Sequence, residues 1–353
     1  MNIKLCDLWS SDEQYRIQLD NAVLEVINKS SFIGGEYVKT FEENFAKYIG
    51  VKRCVSLSSC TAALHLALET LEINGKVLVP AMTVTADAEA VLHAGCTPVF
   101  YDDLDNLPIT PDTKAIIVVH LWGNPVDMNK VEMLAKQHNL FIIEDCAQST
   151  GAKFEGQMTG TIGDIGCFSF FPTKVLGGYG DGGAIVTNSD IVADRIQAMK
   201  NHGRISGEKH KHHFVGYNYR LDGLKAAVLD VKLRYLDKAI ALRRSIASVY
   251  RTALPENVTI PVMNDGCVYY MYPIFAPDRD NLHKFLKKHG ISTGLHYPIP
   301  VHKQPAFEEF ADRQLPEADR IAEYEISLPM HPALKGHDIE KVCRKIGEFY
   351  EKN

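Results

Sequence analysis

Short apolar runs recur along the first half of this chain at 77–79, 98–100, 115–119, 140–143, 167–170 and 184–186, with helical spacing between them. That alternation is the strongest constraint on the fold. Runs this short and this rich in Val, Ile and Phe read as strands buried on both faces. Between them, Tyr37, Phe41, Phe45 and Tyr48, and later Val131, Leu134 and Ala135, recur at steps of three or four, as on one face of a helix. Strands alternating with helices predict an α/β domain with a mixed, mostly parallel sheet covered by helices, and such sheets bind ligands at the carboxyl ends of their strands.

From about residue 221 the pattern changes to long amphipathic helices over roughly 221–254. Strand-like alternation at 268–274, a helix near 280–289, a strand-like stretch at 294–297 and a terminal helix near 338–352 follow. This predicts a large domain over 1–235 and a smaller C-terminal α+β domain over 236–353, with the N-terminal segment packing on the small one. A length of 353 residues suits two such units and favours an enzyme over a small binding module.

A formal net charge of −6 points to neither nucleic acid nor an anionic membrane surface. The N-terminus from Met1 to Asp7 lacks the apolar core of a signal peptide, and no apolar run approaches the ~20 residues of a membrane span. Eight cysteines without Cys-x-x-Cys spacing fit a reducing cytoplasm.

Polar residues at strand ends carry the candidate chemistry. Asp145 ends the 140–143 run, and Lys174 follows the 167–170 run with a glycine-rich segment behind it, while Ser59, Cys60 and Thr61 head a helix. These are the parts a pyridoxal-phosphate site needs. A carboxylate keeps the pyridine nitrogen protonated, a lysine forms the Schiff base and moves protons, and helix N–H groups with hydroxyls hold the phosphate. Each has a plainer reading: Asp145 as a strand-end cap, Lys174 as a solvated surface charge, and the Ser59 segment as an ordinary N-cap, which on its own it resembles first.

The motifs Phe32-Ile33-Gly34-Gly35-Glu36-Tyr37-Val38, Ser59-Cys60-Thr61-Ala62-Ala63-Leu64-His65, Glu144-Asp145-Cys146-Ala147-Gln148, Ser169-Phe170-Phe171-Pro172-Thr173-Lys174, Gly216-Tyr217-Asn218-Tyr219-Arg220 and Leu295-His296-Tyr297-Pro298-Ile299-Pro300 fall in one order along nearly the whole chain. On them the chain resembles the DegT/DnrJ/EryC/StrS family of sugar aminotransferases, within the type I fold of aspartate aminotransferase. The resemblance implies a pyridoxal 5'-phosphate enzyme in which Lys174 is the Schiff-base lysine, Asp145 pairs with the pyridine nitrogen and Gln148 lies against the ring's phenolic oxygen. Cys60, Thr61 and Ser169 would bind the phosphate, and Asn218 would reach the phosphate of a neighbouring subunit. That makes a homodimer with shared sites the expected unit.

The activity it implies is transfer of an amino group from an amino acid, L-glutamate foremost, to a keto sugar, nucleotide-linked, in amino-deoxysugar and polysaccharide biosynthesis. Alternatives are a non-nucleotide keto sugar or a dehydratase of the same family, in which a histidine replaces the lysine. A regulator that keeps the fold has no chemical need for Lys174. Two departures stand out. Cys60 replaces a small residue, and Val84 occupies the place of an aromatic residue that stacks on the cofactor ring.

Glu208 to His213 carries His210, His212 and His213, but its lysines and ligand spacing fit a solvated loop rather than a metal site, and no metal is expected. His296 and Tyr297 read equally as small-domain core or as site residues. Cys146 has no base beside it and reads as packing.

Overall fold

The computed structural model describes residues 2–8, 13–205, 207–208 and 210–351. Met1, Lys209 and residue 352, which figure in the readings above, lie outside them. Two helices, α1 (Glu13–Asn28) and α2 (Gly35–Ile49), precede the sheet. Then come β1 (Arg53–Leu57), α3 (Cys60–Thr70), β2 (Lys76–Pro80), α4 (Ala86–His93), β3 (Thr97–Tyr101), β4 (Thr113–Val119), α5 (Met128–His138) and β5 (Phe141–Asp145). A small hairpin, β6 (Lys153–Phe154) and β7 (Gln157–Met158), leads to β8 (Ile165–Ser169) and β9 (Gly183–Thr187), followed by α6 (Asp190–Met199) and α7 (Gly223–Leu233).

Seven strands form one sheet in the order β1-β9-β8-β5-β4-β2-β3. Only β9 runs against the others, pairing antiparallel with both β1 and β8, while β8, β5, β4, β2 and β3 pair in parallel. Alternate residues of each strand face opposite layers. Val77, Val79, Ile117, Val119, Ile143 and Ile185 share a core with α3, α4 and α6. On the other face Leu78, Ile116, Val118 and Ile142 pack on α5, and Phe168, Ala184 and Val186 pack on α2 and α7. Burial on both faces is why the runs are continuously apolar.

Local signals stop the helices where the chain must turn. Gly50 at φ 86° closes α2, its N–H donating to the Ala46 carbonyl. Asp127 caps α5 through the Lys130 N–H, and Asp222 caps α7 through the Lys225 N–H.

The remainder comprises α8 (Leu236–Ala253), β10 (Tyr272–Phe275), α9 (Arg279–Lys288), α10 (Pro316–Tyr324), β11 (Glu325–Leu328) and α11 (Gly336–Glu351). β10 and β11 pair antiparallel and share a second core with Tyr250, Leu282 and Ile346. Ile3 belongs to this core, its N–H donating to the Gly290 carbonyl at 2.8 Å.

Two expected strands are corrected. Residues 268–271 are irregular, because Tyr269 sits at φ 49° and the backbone N–H groups of Val268 and Met271 go to Gly123 and Trp122 instead of a strand. Residues 294–297 form a single bridge, Gly294 to Ser327. The prolines at 298 and 300 have no N–H with which to continue a ladder.

Candidate active site

The loops at the carboxyl ends of β1, β2, β4, β5 and β8 supply the candidate residues. Asp145, the last residue of β5, is 2% exposed, and its Oδ1 accepts the Ala147 N–H at 2.7 Å and the Cys60 thiol at 3.7 Å. A turn follows it rather than a helix, so the capping reading fails. Burial pushes its carboxyl above the usual carboxylate range, opposed by the Ala147 N–H and the Lys174 ammonium.

The loop after β8 brings Lys174 to the same place. Gly178 N–H returns to the Phe170 carbonyl at 2.7 Å, and Phe170 N–H reaches the Gly182 carbonyl at 2.8 Å, so the loop folds back on itself. Gly177 permits that closure, since a Cβ there would lie 2.1 Å from the Pro172 carbonyl oxygen. Lys174 is half-buried, its Nζ 4.6 Å from the Tyr270 ring centroid, and its charge acts on Asp145, Cys60 and His296. A cavity of about 290 Å³ lies beside it, lined in part by Cys6, Tyr15, Lys232 and Arg243.

α3 begins directly after β1. Ser59 Oγ accepts the Ala62 N–H at 3.1 Å and the Ser59 carbonyl the Ala63 N–H at 3.2 Å. The N–H groups of Cys60 and Thr61 remain free of intrahelical partners at the positive end of the helix, where an anion is held. The helix start seats on β9 at Gly183, whose Cβ, were there one, would lie 2.3 Å from the Ser59 carbonyl carbon. The capping reading of Ser59 holds, and it leaves the N–H groups of Cys60 and Thr61 without intrahelical partners. The Cys60 thiol points to Asp145, so any phosphate contact from this residue comes from its backbone.

Gln148 is buried and held at both ends of its amide, its Oε1 accepting the Trp122 N–H at 2.7 Å and its Nε2 donating one of its two hydrogens to the Tyr297 hydroxyl at 3.2 Å. Ser169 ends β8, buried, its Oγ accepting the Phe171 N–H at 3.3 Å. Val84 is 37% exposed, just before α4. Asn218 is exposed, bridged to Asn201 by backbone pairing; within one chain it is not brought to the Lys174 cluster by any hydrogen bond among the described residues.

His296 and Tyr297 face the site. Burial, with Lys174 nearby, pushes the His296 imidazole down to about 4, so it is neutral near pH 7. Its Nδ1 lies 2.9 Å from Ser327 Oγ, and its N–H donates to Glu325 Oε2 at 2.6 Å. Not anticipated from the sequence are Tyr270 and Asp87. Asp87 is a fully buried acid in the first turn of α4, and with Glu89 beside it in the same turn nothing in the sequence marks it out.

His120, Glu144 and Cys146 place ligand atoms within 4.8 Å of one another. Glu144 is already saturated, accepting from His120 Nε2 at 3.0 Å and from the N–H groups of Gly160, Ile162 and Gly163 at 2.7, 2.8 and 2.6 Å. This cluster ties β4 and β5 to the 160–163 loop and offers a metal no free carboxylate lone pairs. In the histidine loop, His213 pairs with Glu208, and His212 Nδ1 lies 2.6 Å from the His202 carbonyl oxygen.

A buried carboxylate, an adjacent lysine and a helix N-terminus fit pyridoxal phosphate at its nitrogen, aldehyde and phosphate ends. Comparison with known proteins agrees. A match to the DegT/DnrJ/EryC1/StrS aminotransferase family spans residues 14–347. A pleiotropic regulatory protein of Geobacillus stearothermophilus is 40% identical, over 99% of each chain. A UDP-N-acetyl-3-dehydro-alpha-D-glucosamine 3-aminotransferase of Acidithiobacillus ferrooxidans is 38% identical, over 98% of this chain and 97% of that one. The crystal structure of S. venezuelae DesV in complex with a ketimine intermediate superposes with a TM-score of 0.94 at 35% identity, covering 99% of both chains. The chain belongs to the DegT/DnrJ/EryC1/StrS aminotransferase family and is a pyridoxal-phosphate-dependent aminotransferase.

Proposed function

We propose that this aminotransferase moves an amino group from an L-amino acid, glutamate in our reading, to the keto carbon of a nucleotide-linked sugar. The convergence of Lys174, Asp145 and the α3 N-terminus on one set of strand ends carries the reading, and relatives named for sugar-nucleotide substrates supply the acceptor class. Bound pyridoxal phosphate supplies an aldehyde for amine exchange and a ring that takes up electrons.

The chain's own residues do the rest. With the cofactor bound, the Lys174 amine would hold its aldehyde and, when free, would carry a proton between the two carbons that exchange hydrogen. The apolar flank given by Tyr270 limits water around it. Asp145 holds the proton of the ring nitrogen. Gln148, fixed by Trp122 and Tyr297, presents its remaining N–H to the phenolic oxygen. The free N–H groups of Cys60 and Thr61, with the Ser169 hydroxyl, orient the phosphate, and Val84 covers the ring. Asn218 completes the neighbouring subunit's phosphate site in a homodimer.

The division at 235/236 separates the sheet that carries this machinery from the β10–β11 unit, whose segment 296–307 and the loop 204–215 select the sugar. No helix among the described residues is long and apolar enough to cross a membrane, and eight free cysteines suit the cytoplasm we assign. The regulatory name borne by one relative does not argue for a regulator here, because a binding protein needs neither Lys174 nor its buried carboxylate partner. A panel of keto sugars, with and without a nucleotide, offered to the glutamate-reduced enzyme tests the acceptor. Reoxidation of the cofactor by nucleotide-linked members alone is expected; turnover only with free keto sugars overturns the assignment.

A further inference from the structure

Asp87 has no part in the chemistry above, yet it lies fully buried beside Asp145. Its Oδ2 accepts the Thr83 hydroxyl at 2.7 Å, while its Oδ1 meets no N–H or O–H donor. Beside this buried, unpartnered oxygen the Asp87 and Asp145 carboxyls interact as a hydrogen-bonding pair. Two carboxylates facing each other in a dry interior are both acceptors, and the pair persists only if one carries a proton.

The surroundings decide which one. Asp145 has the Ala147 N–H at 2.7 Å and the Cys60 thiol at 3.7 Å, both donors that favour its charged form. Asp87 has a single hydroxyl. Lys174 acts on both carboxyls, and His120, whose ring nitrogens go to Glu144 and the Val126 N–H, acts on Asp145 only through space. The remaining titratable neighbours, Tyr101, Tyr297, Cys60, Cys146 and Cys167, are weak acids that supply no compensating positive charge. Burial and the Asp145 charge push Asp87 well above the usual carboxylate range, in agreement with this assignment.

We propose that Asp87 is a positioning residue for amino transfer, a neutral carboxylic acid that donates its proton as a hydrogen bond to Asp145. This rests on the reading that Asp145 serves the ring nitrogen. One proton is shared between that nitrogen and Asp145. A hydrogen bond from Asp87 makes Asp145 a weaker base, so the shared proton stays on the ring, where it is needed to draw electrons from the substrate carbon. Without Asp87, Asp145 gains basicity and pulls the proton back.

Two measurements test this without relying on turnover. In the cofactor-free protein, infrared spectroscopy at neutral pH should find the carbonyl stretch of a protonated buried carboxyl, and Asp87→Asn should abolish it. Glu325, whose buried carboxyl is raised to about 7, contributes a band of its own, so the native-minus-variant difference spectrum is what decides: a difference spectrum with no carbonyl band overturns the proposal. In protein loaded with pyridoxal phosphate labelled at the ring nitrogen, 15N NMR reads ring protonation directly. Asp87→Asn, whose amide still donates, should match the native signal, whereas Asp87→Val should shift it toward the unprotonated value. A native signal in Asp87→Val overturns the proposal, and if that variant does not fold, the infrared result decides. Asp145→Ala is the control: if it leaves the ring signal unchanged, the assignment of Asp145 to the ring fails, a result separable from failure of the Asp87 inference.

Discussion

Replacing Gly183 with alanine should weaken cofactor binding about a hundredfold while leaving the cofactor-free fold largely intact. A Cβ at 183 would stand 2.3 Å from the Ser59 carbonyl carbon, 2.4 Å from its oxygen and 2.6 Å from the Cys60 nitrogen. Carbon atoms rest at about 3.5–4.0 Å, so the start of α3 must retreat from β9 by roughly 1 Å. No flexible side chain can absorb this, because the atoms struck are backbone. The free N–H groups of Cys60 and Thr61 move with the helix. Losing good geometry in two hydrogen bonds to a phosphate, each worth about 1.5–3 kcal/mol when the acceptor is charged, amounts to about 3 kcal/mol, or some two powers of ten in Kd. Overpacking itself should cost about 1–3 kcal/mol of stability. Titrating the cofactor-free protein with pyridoxal phosphate, alongside urea unfolding without cofactor, separates the two effects. A Kd within twofold of the native value would refute the claim that this helix start cradles the phosphate.

Glu144→Ala strands His120 and three backbone N–H groups, and should destabilise the protein by about 4 kcal/mol in urea unfolding. Burial by itself would raise Glu144, but the His120 and glycine-loop hydrogen bonds outweigh it and hold its carboxyl below the usual range. Its contribution to stability is therefore present above the unfolded value of about 4.3 and lost as pH falls through the lower folded value; a Glu144→Ala difference unchanged on acidification would contradict this. Val84→Tyr, by adding a stacking ring worth about 0.5–1.5 kcal/mol, should tighten cofactor binding about two- to tenfold in the same titration. Mixing the inactive variants Lys174→Ala and Asn218→Ala should restore about a quarter of native activity if each site draws on both subunits, whereas no recovery after confirmed subunit exchange would argue for self-contained sites.

The sheet was legible in the sequence because strands covered on both faces must be continuously apolar. β1 escapes that reading because its Ser56 is polar yet buried, its hydroxyl and N–H both taken by Glu42 Oε1 at 2.7 and 2.8 Å. The reversed direction of β9 is likewise invisible, since direction leaves no mark on an apolar run. Asp145 and Ser169 could be found because they end strands, and Lys174 because it follows one in the loop before a glycine-rich segment. Tyr270 reaches Lys174 from almost a hundred positions away, through a segment whose alternation imitates a strand until Tyr269 turns it. Asp87 looks from the sequence like any acid in the first turn of a helix, and only the fold sets it against Asp145.

The most direct test of the account is chemical trapping of the lysine. Reduction of the cofactor-loaded enzyme with borohydride, followed by peptide mapping, should find the pyridoxyl group on Lys174 and nowhere else, with prior addition of glutamate preventing the labelling. Label on a different lysine, or equal labelling of the Lys174→Ala variant, would contradict the account.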